Sequence, residues 1–144
     1  MYDLLALVAF VTLIVLMAVV LYSNRRKHGK IIYYLRSRIA PHAKISNLRF
    51  NFEYGSFPIE IGLWGGGKLP YSFGVVLTGK FPKQKMFMIA YPIVAEEVRW
   101  TKNKLTTSFP ASEVDSEDIL HAALIARLEL MVDAARELEA RTTQ

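Results

Sequence analysis

The chain has 144 residues and no cysteine. That excludes disulfide staples, thiolate metal sites and cysteine nucleophiles, and it fits a reducing compartment. Acidic side chains are absent from Arg25 to Arg49, a stretch that carries eight Lys or Arg. Histidine is scarce: His28, His42 and His121 have no ligand spacing among themselves or with carboxylates, so no metal is expected. No repeat and no low-complexity tract breaks the sequence, which excludes solenoid and linker-dominated architectures.

What is present in abundance is hydrocarbon. Leu4 to Tyr22 reads LLALVAFVTLIVLMAVVLY, and Thr12 is the one polar side chain before Tyr22. A helix over this stretch reaches roughly 28 Å at ~1.5 Å per residue, close to the ~30 Å hydrocarbon core of a bilayer. A cleaved signal peptide would want a basic leading region and a small-residue cleavage site; Asp3 precedes the run and Val19-Val20-Leu21-Tyr22-Ser23-Asn24 ends it. A buried core helix would need apolar partners on every side, more than a domain of this size supplies. The expectation is a retained single-pass anchor.

Charge sets the expected orientation. The N-terminal flank has no Lys or Arg, whereas Arg25, Arg26, Lys27 and Lys30 follow the apolar run. Basic flanks stay cytoplasmic, so the N-terminus is expected outside and the rest in the cytoplasm. Further on, Arg25 to Lys104 holds 15 Lys or Arg against Glu53, Glu60, Glu96 and Glu97, while Leu105 onward holds 3 Lys or Arg against 8 Asp or Glu. The middle is basic and the tail acidic.

Lys30 to Ala40 places Ile31, Ile32, Leu35 and Ile39 near helical spacing until Pro41. This predicts a short basic helix, broken from the anchor at Gly29. Period-two alternation then predicts strands: Leu48, Phe50, Phe52 and Tyr54; Ile59, Ile61 and Leu63; Tyr71, Phe73, Val75 and Leu77. Gly55-Ser56-Phe57-Pro58 and Gly65-Gly66-Gly67 read as turns between them. Met86 to Ala95 is a continuous apolar run that reads as a strand, with Pro92 pointing to an edge or bulge. Val98 to Thr101 and Leu105 to Phe109 read as a further hairpin. In the tail, Leu120, Leu124, Leu128, Met131, Ala135 and Leu138 recur at helical spacing behind Asp115, Ser116, Glu117 and Asp118, which suit a helix start.

These elements predict an α+β fold. A single N-terminal transmembrane helix (residues 1–23) precedes a basic juxtamembrane segment with a short helix (24–45). A cytoplasmic domain (46–144) follows, with an antiparallel sheet of four to six strands and a long C-terminal helix packed on one sheet face.

Three candidate sites stand out. Arg25, Arg26, Lys27, Lys30, Arg36 and Arg38 are candidates for membrane-surface contact, since anionic headgroups attract juxtamembrane cations. Trp64, Gly65, Gly66, Gly67 and Lys68 form a candidate ligand or partner loop; with Leu69 after the lysine it falls short of a phosphate-binding P-loop. Glu129, Asp133 and Glu137 are like charges one turn apart on the tail helix, a candidate face for a basic partner or for this domain's own basic body.

No Ser/His/Asp set or carboxylate pair stands out, so the reading leans away from an enzyme and expects no catalytic residue and no cofactor. The ribonucleoprotein consensus is not spelled, so nucleic acid is not an expected partner. What remains is a membrane-anchored binding or scaffold module, an accessory subunit or assembly factor of a larger membrane complex, with membrane lipids and a protein as partners. Two alternatives stay open: a lipid or apolar-ligand binding domain at the membrane surface, and an enzyme using the glycine loop on a phosphorylated or membrane-bound substrate.

Overall fold

The computed structural model describes residues 2–66, 69–81, 98–101 and 103–142. Helix α1 spans Tyr2–Ile39 and is followed by β1 (Ile45–Ser46), β2 (Arg49–Tyr54), β3 (Phe57–Gly66), β4 (Leu69–Thr78), β5 (Arg99–Thr101) and β6 (Lys104–Pro110). A single 3-10 turn at Ala111–Glu113 leads to helix α2, Glu117–Thr142. The strands form one antiparallel sheet of six, in the order β1-β2-β3-β4-β6-β5. The class is α+β, as the alternating strands and the flanking helices imply. The strand expected at Met86 to Ala95, with Pro92, lies outside the described residues.

The largest departure from expectation is in α1. No break occurs at Gly29: one helix of 38 residues runs from Tyr2 to Ile39. Glycine inside a helix costs roughly 1 kcal/mol relative to alanine, but here its missing side chain is used. A Cβ on Gly29 would lie 3.2 Å from Leu48 Cδ2, so Leu48 occupies the space a side chain would take. The basic segment is therefore the second half of this same helix and not a separate element.

The two halves of α1 have opposite surroundings. Every residue from Tyr2 to Lys27 is exposed, and Leu4, Phe10 and Leu16 keep 66%, 61% and 57% of their surface open. This segment is long and apolar enough to cross a membrane. From Gly29 on the helix enters the core, with Ile32 and Leu35 at 0% exposure.

The core is one cluster on one side of the sheet. Register places Phe50, Ile61, Val75 and Thr107 in one cross-sheet row and Phe52, Ile59, Leu77 and Leu105 in the next. Six of these eight, from Phe50, Ile61 and Val75 to Ile59, Leu77 and Leu105, are essentially fully buried. The α2 stripe meets them as the spacing predicts: Leu120, Leu124, Leu128, Met131, Ala135 and Leu138 are all buried. Each fully buried side chain of this size contributes roughly 1.5–3 kcal/mol, so α2 and the distal part of α1 together hold the sheet. Tyr34 of α1 ties the two helices by donating its hydroxyl to Asp118 of α2.

Turns depart from expectation in detail. Asn47 and Leu48 both adopt positive φ, 51° and 57°, and form a two-residue hairpin that joins Ser46 to Arg49. Such turns require positive φ at both central positions, so Leu48 is a turn residue and the strand starts at Arg49. Gly55 and Ser56 (φ 59° and 71°) form a second such turn, and Phe57 and Pro58 already belong to β3. Gly65 and Gly66 also remain in β3, around a register shift between Trp64 and Gly66. A Cβ on Gly65 would stand 2.2 Å from the Pro70 carbonyl oxygen, which this bulge does not permit.

Candidate membrane-surface site

The site grows from the point where α1 stops being purely apolar. On a helix, residues three and four apart share a face, which aligns Tyr22, Arg25, Arg26, Gly29, Lys30 and Tyr33. Opposite this face sits the β1–β2 turn. Because Gly29 has no side chain, Leu48 can seat on the helix without filling the groove above and below. The result is a cleft of about 440 Å³ lined by those six helix residues together with Ile45, Asn47 and Leu48.

A second cleft, of about 330 Å³, shares Arg25, Asn47 and Leu48 with the first and continues to Arg49, Trp64, Gly65, Gly66 and Tyr71. Its wall has a specific construction. Gly62 and Gly74 are cross-strand neighbours on the sheet face away from the helices. Trp64 lies over Gly74, where an added Cβ would come within 2.8 Å of the indole ring. Arg49 lies over Gly62, and its guanidinium carbon stacks 4.5 Å from the centre of a Trp64 ring. The two glycines let a large aromatic and a cation lie flat against the sheet, a contact worth roughly 0.5–2 kcal/mol.

Electrostatics are one-sided. Arg25, Arg26, Lys30 and Arg49 line the two clefts, and no carboxylate does. Between Asp3 and Glu53 the chain offers no acidic side chain to neutralise them. His28, between these cations on α1, packs its ring 5.6 Å from Tyr71 and 6.0 Å from Phe73. Burial, then the neighbouring Lys27 charge, lowers its pKa below 6.5, and its Nδ1 is buried without a hydrogen-bond partner among the described residues.

The candidate residues read from the sequence do not all come together. Arg25, Arg26 and Lys30 come together at the first cleft, and Trp64, Gly65 and Gly66 at the second. Lys27 is exposed and lines neither. Arg36 and Arg38 stand apart, about 15 and 18 Å further along α1 than Arg26. Arg36 donates through one terminal nitrogen to the carbonyls of Pro41 (2.9 Å) and Ala43 (3.5 Å), holding the chain that leaves the helix. Arg38 lies 5.5 Å over the Tyr34 ring. Gly67 and Lys68 lie outside the described residues. Glu129, Asp133 and Glu137 are exposed on α2, with Asp133 4.0 Å from Arg136.

Sequence reasoning missed Tyr22, Tyr33, Ile45, Asn47, Leu48, Arg49 and Tyr71 as cleft residues. The helical spacing of Tyr22 and Tyr33 around Gly29 was a signal available in the chain. The apposition of the β1–β2 turn was not. Among the described residues, no group of three or more His, Asp or Glu could hold a metal. Gly65 and Gly66 end strand β3 instead of opening a helix, so their amides do not form a P-loop anion site. Set against known protein families, curated proteins and solved structures, the chain finds no match.

Proposed function

We propose that the protein is a membrane-anchored binding or scaffold module that faces the cytoplasm and serves as an accessory subunit or assembly factor of a larger membrane complex. The observation that carries this reading is the continuity of α1. One unbroken helix has an apolar, exposed first half and a second half whose Ile32 and Leu35 are core residues. A protein whose only task was to keep a domain near a bilayer could use a flexible linker. Here the domain is fused to its anchor, so it is held at one height and one tilt range relative to the lipid. That geometry suits a part that must meet a membrane-embedded partner in register. The basic residues after the apolar stretch favour a cytoplasmic domain.

The two alternatives are less well supported. A carrier needs enclosed apolar volume between sheet and helices. Among the described residues the middle of that space is filled by Phe50, Phe73, Leu124, Leu128 and Met131, all at 0% exposure. The cleft of about 690 Å³ at the sheet end, lined by Phe57, Pro58, Thr78 and Glu139 among others, is open to solvent. An enzyme at the glycine loop needs acid, base or nucleophile nearby. Among the described residues, the side chains lining that cleft are cationic, amide, aromatic and aliphatic, with no carboxylate and no Ser, Thr or Cys nucleophile.

The test is purification of the full-length protein from membranes in mild detergent, with co-purifying proteins identified. The scaffold reading expects a stoichiometric membrane-protein partner to co-purify with the intact chain. A chain that purifies alone under every mild condition and remains in the aqueous fraction would refute it.

A further inference from the structure

We infer that the cleft between α1 and the β1–β2 turn is a binding site for the phosphate headgroup of a single anionic phospholipid. This rests on the membrane reading above. Three observations support it independently of overall charge.

The first is placement. Arg25 and Arg26 stand one helical turn beyond Tyr22, the last residue of the apolar stretch, and Lys30 one turn beyond them. If the apolar stretch fills the hydrocarbon, the Arg25 and Arg26 end of the cleft opens at headgroup depth, where Tyr22 matches the aromatic preference of that layer, and Tyr33, about 16 Å further along the helix, closes its aqueous end. The second is shape. The missing side chain of Gly29 and the Leu48 seated on it shape a shallow groove of about 440 Å³, open to solvent along its length. Its walls combine cations with the apolar flanks of Ile45 and Leu48, as a headgroup with attached glycerol requires. The third is unspent charge. Among the described residues Arg25, Arg26 and Lys30 have no ion pair and no carboxylate in reach, whereas Arg36 and Arg38 on the same helix are engaged in contacts within the domain. Two guanidinium groups and an ammonium suit a phosphodiester, which guanidinium can grip with paired hydrogen bonds.

The consequence is selectivity for charge at a defined seat. A diffuse basic skirt would respond to any cation removed. A seat responds only to the cations that line it. Lys27 supplies the comparison, because it lies between the lining residues in sequence yet faces away from the cleft.

The experiment uses full-length protein in neutral detergent, titrated with phosphatidylglycerol or phosphatidylcholine and read by native mass spectrometry. Wild type is expected to retain one phosphatidylglycerol and to discriminate against phosphatidylcholine. Arg25→Gln and Arg26→Gln should each weaken retention about fivefold, and Lys27→Gln should leave it unchanged. Asn47→Asp, which tolerates the turn and places a carboxylate in the cleft, should weaken it at least as much. Inorganic phosphate at matched concentration should not displace the lipid. Equal losses for Lys27→Gln and Arg26→Gln, equal retention of the two lipids, or displacement by inorganic phosphate alone would each overturn the assignment. Because the titration is done in detergent, its failure would leave the anchor reading standing; failure of the anchor would show separately in membrane fractionation.

Discussion

Leu48 seats its side chain on Gly29, with Leu48 Cδ2 3.2 Å from where a Cβ on the glycine would be. This one contact joins the end of the apolar helix segment to the first hairpin of the sheet. It also explains why a leucine tolerates positive φ in a tight turn, a conformation that disfavours it. The turn holds the side chain against Gly29, the one glycine of α1.

The contact predicts an asymmetric mutational response at Gly29. Alanine gains helix propensity of roughly 1 kcal/mol and asks Leu48 to move by a few tenths of an ångström, so thermal stability in detergent should change little. Gly29→Val cannot be accommodated and should lower the melting temperature clearly. Combining it with Leu48→Ala should recover part of the loss, because contacting residues are non-additive. Additive effects would show that the two residues do not meet.

The α2 stripe gives a second prediction. Leu124 and Leu128 are at 0% exposure, whereas Ile119 on the same helix is 67% exposed. Leu128→Ala should destabilise by about 2–5 kcal/mol, and Leu124→Asp or Leu128→Asp should abolish cooperative unfolding. Ile119→Asp should be nearly neutral. Chemical denaturation followed by circular dichroism separates these cases.

The outer sheet face gives a third. Gly74→Ala places a methyl 2.8 Å from the Trp64 ring and forces it off the sheet. Overpacking of this kind costs about 1–3 kcal/mol. In a Trp100→Phe background, Trp64 emission should shift to the red and lose its sensitivity to Arg49→Gln. An unchanged spectrum would mean that the indole does not lie on Gly74.

His28 makes stability depend on pH. Its folded pKa lies below 6.5, chiefly from burial against Tyr71 and Phe73 and further from the Lys27 charge. Below pH 6.5 the unfolded chain therefore binds more protons than the folded one, and stability falls as pH drops through that region. Well above pH 6.5 the ring is neutral in both states and this loss is absent. His28→Phe, which keeps an aromatic ring without a proton site, should flatten this part of the curve. A wild-type melting temperature that rises from pH 7 to pH 5.5 relative to His28→Phe would contradict the assignment.

Much of the fold was legible because it repeats. Leu120 to Leu138 keep helical spacing over several turns, and Phe50 to Tyr54, Ile59 to Leu63 and Tyr71 to Leu77 keep strict alternation. Such patterns arise from facing one core and survive without knowledge of what covers them. The continuity of α1 was hidden because Gly29 looks like a breaker in isolation; its tolerance depends on Leu48, nineteen positions away in sequence. Strand β1, two residues long, carries no periodicity at all. Arg36 was grouped with the membrane-facing cations by composition, yet its hydrogen bonds to Pro41 and Ala43 depend on how the chain turns after the helix. The cleft itself requires a turn to meet a helix, and that apposition is a tertiary fact.

The absence of native cysteine permits the most direct test of the central claim, that α1 is one helix shared between lipid and domain core. Single cysteines placed in turn along α1 from Leu5 to Ser37 in the full-length protein in sealed vesicles can be probed with a membrane-impermeant maleimide. The account predicts no labelling from Leu5 to Leu21, labelling at Lys27 and Tyr33 from the cytoplasmic side, and renewed protection at Ile32 and Leu35 that is lost on denaturation. Labelling at Phe10 or Leu16 in intact vesicles, or equal reactivity at Ile32 and Tyr33, would contradict it.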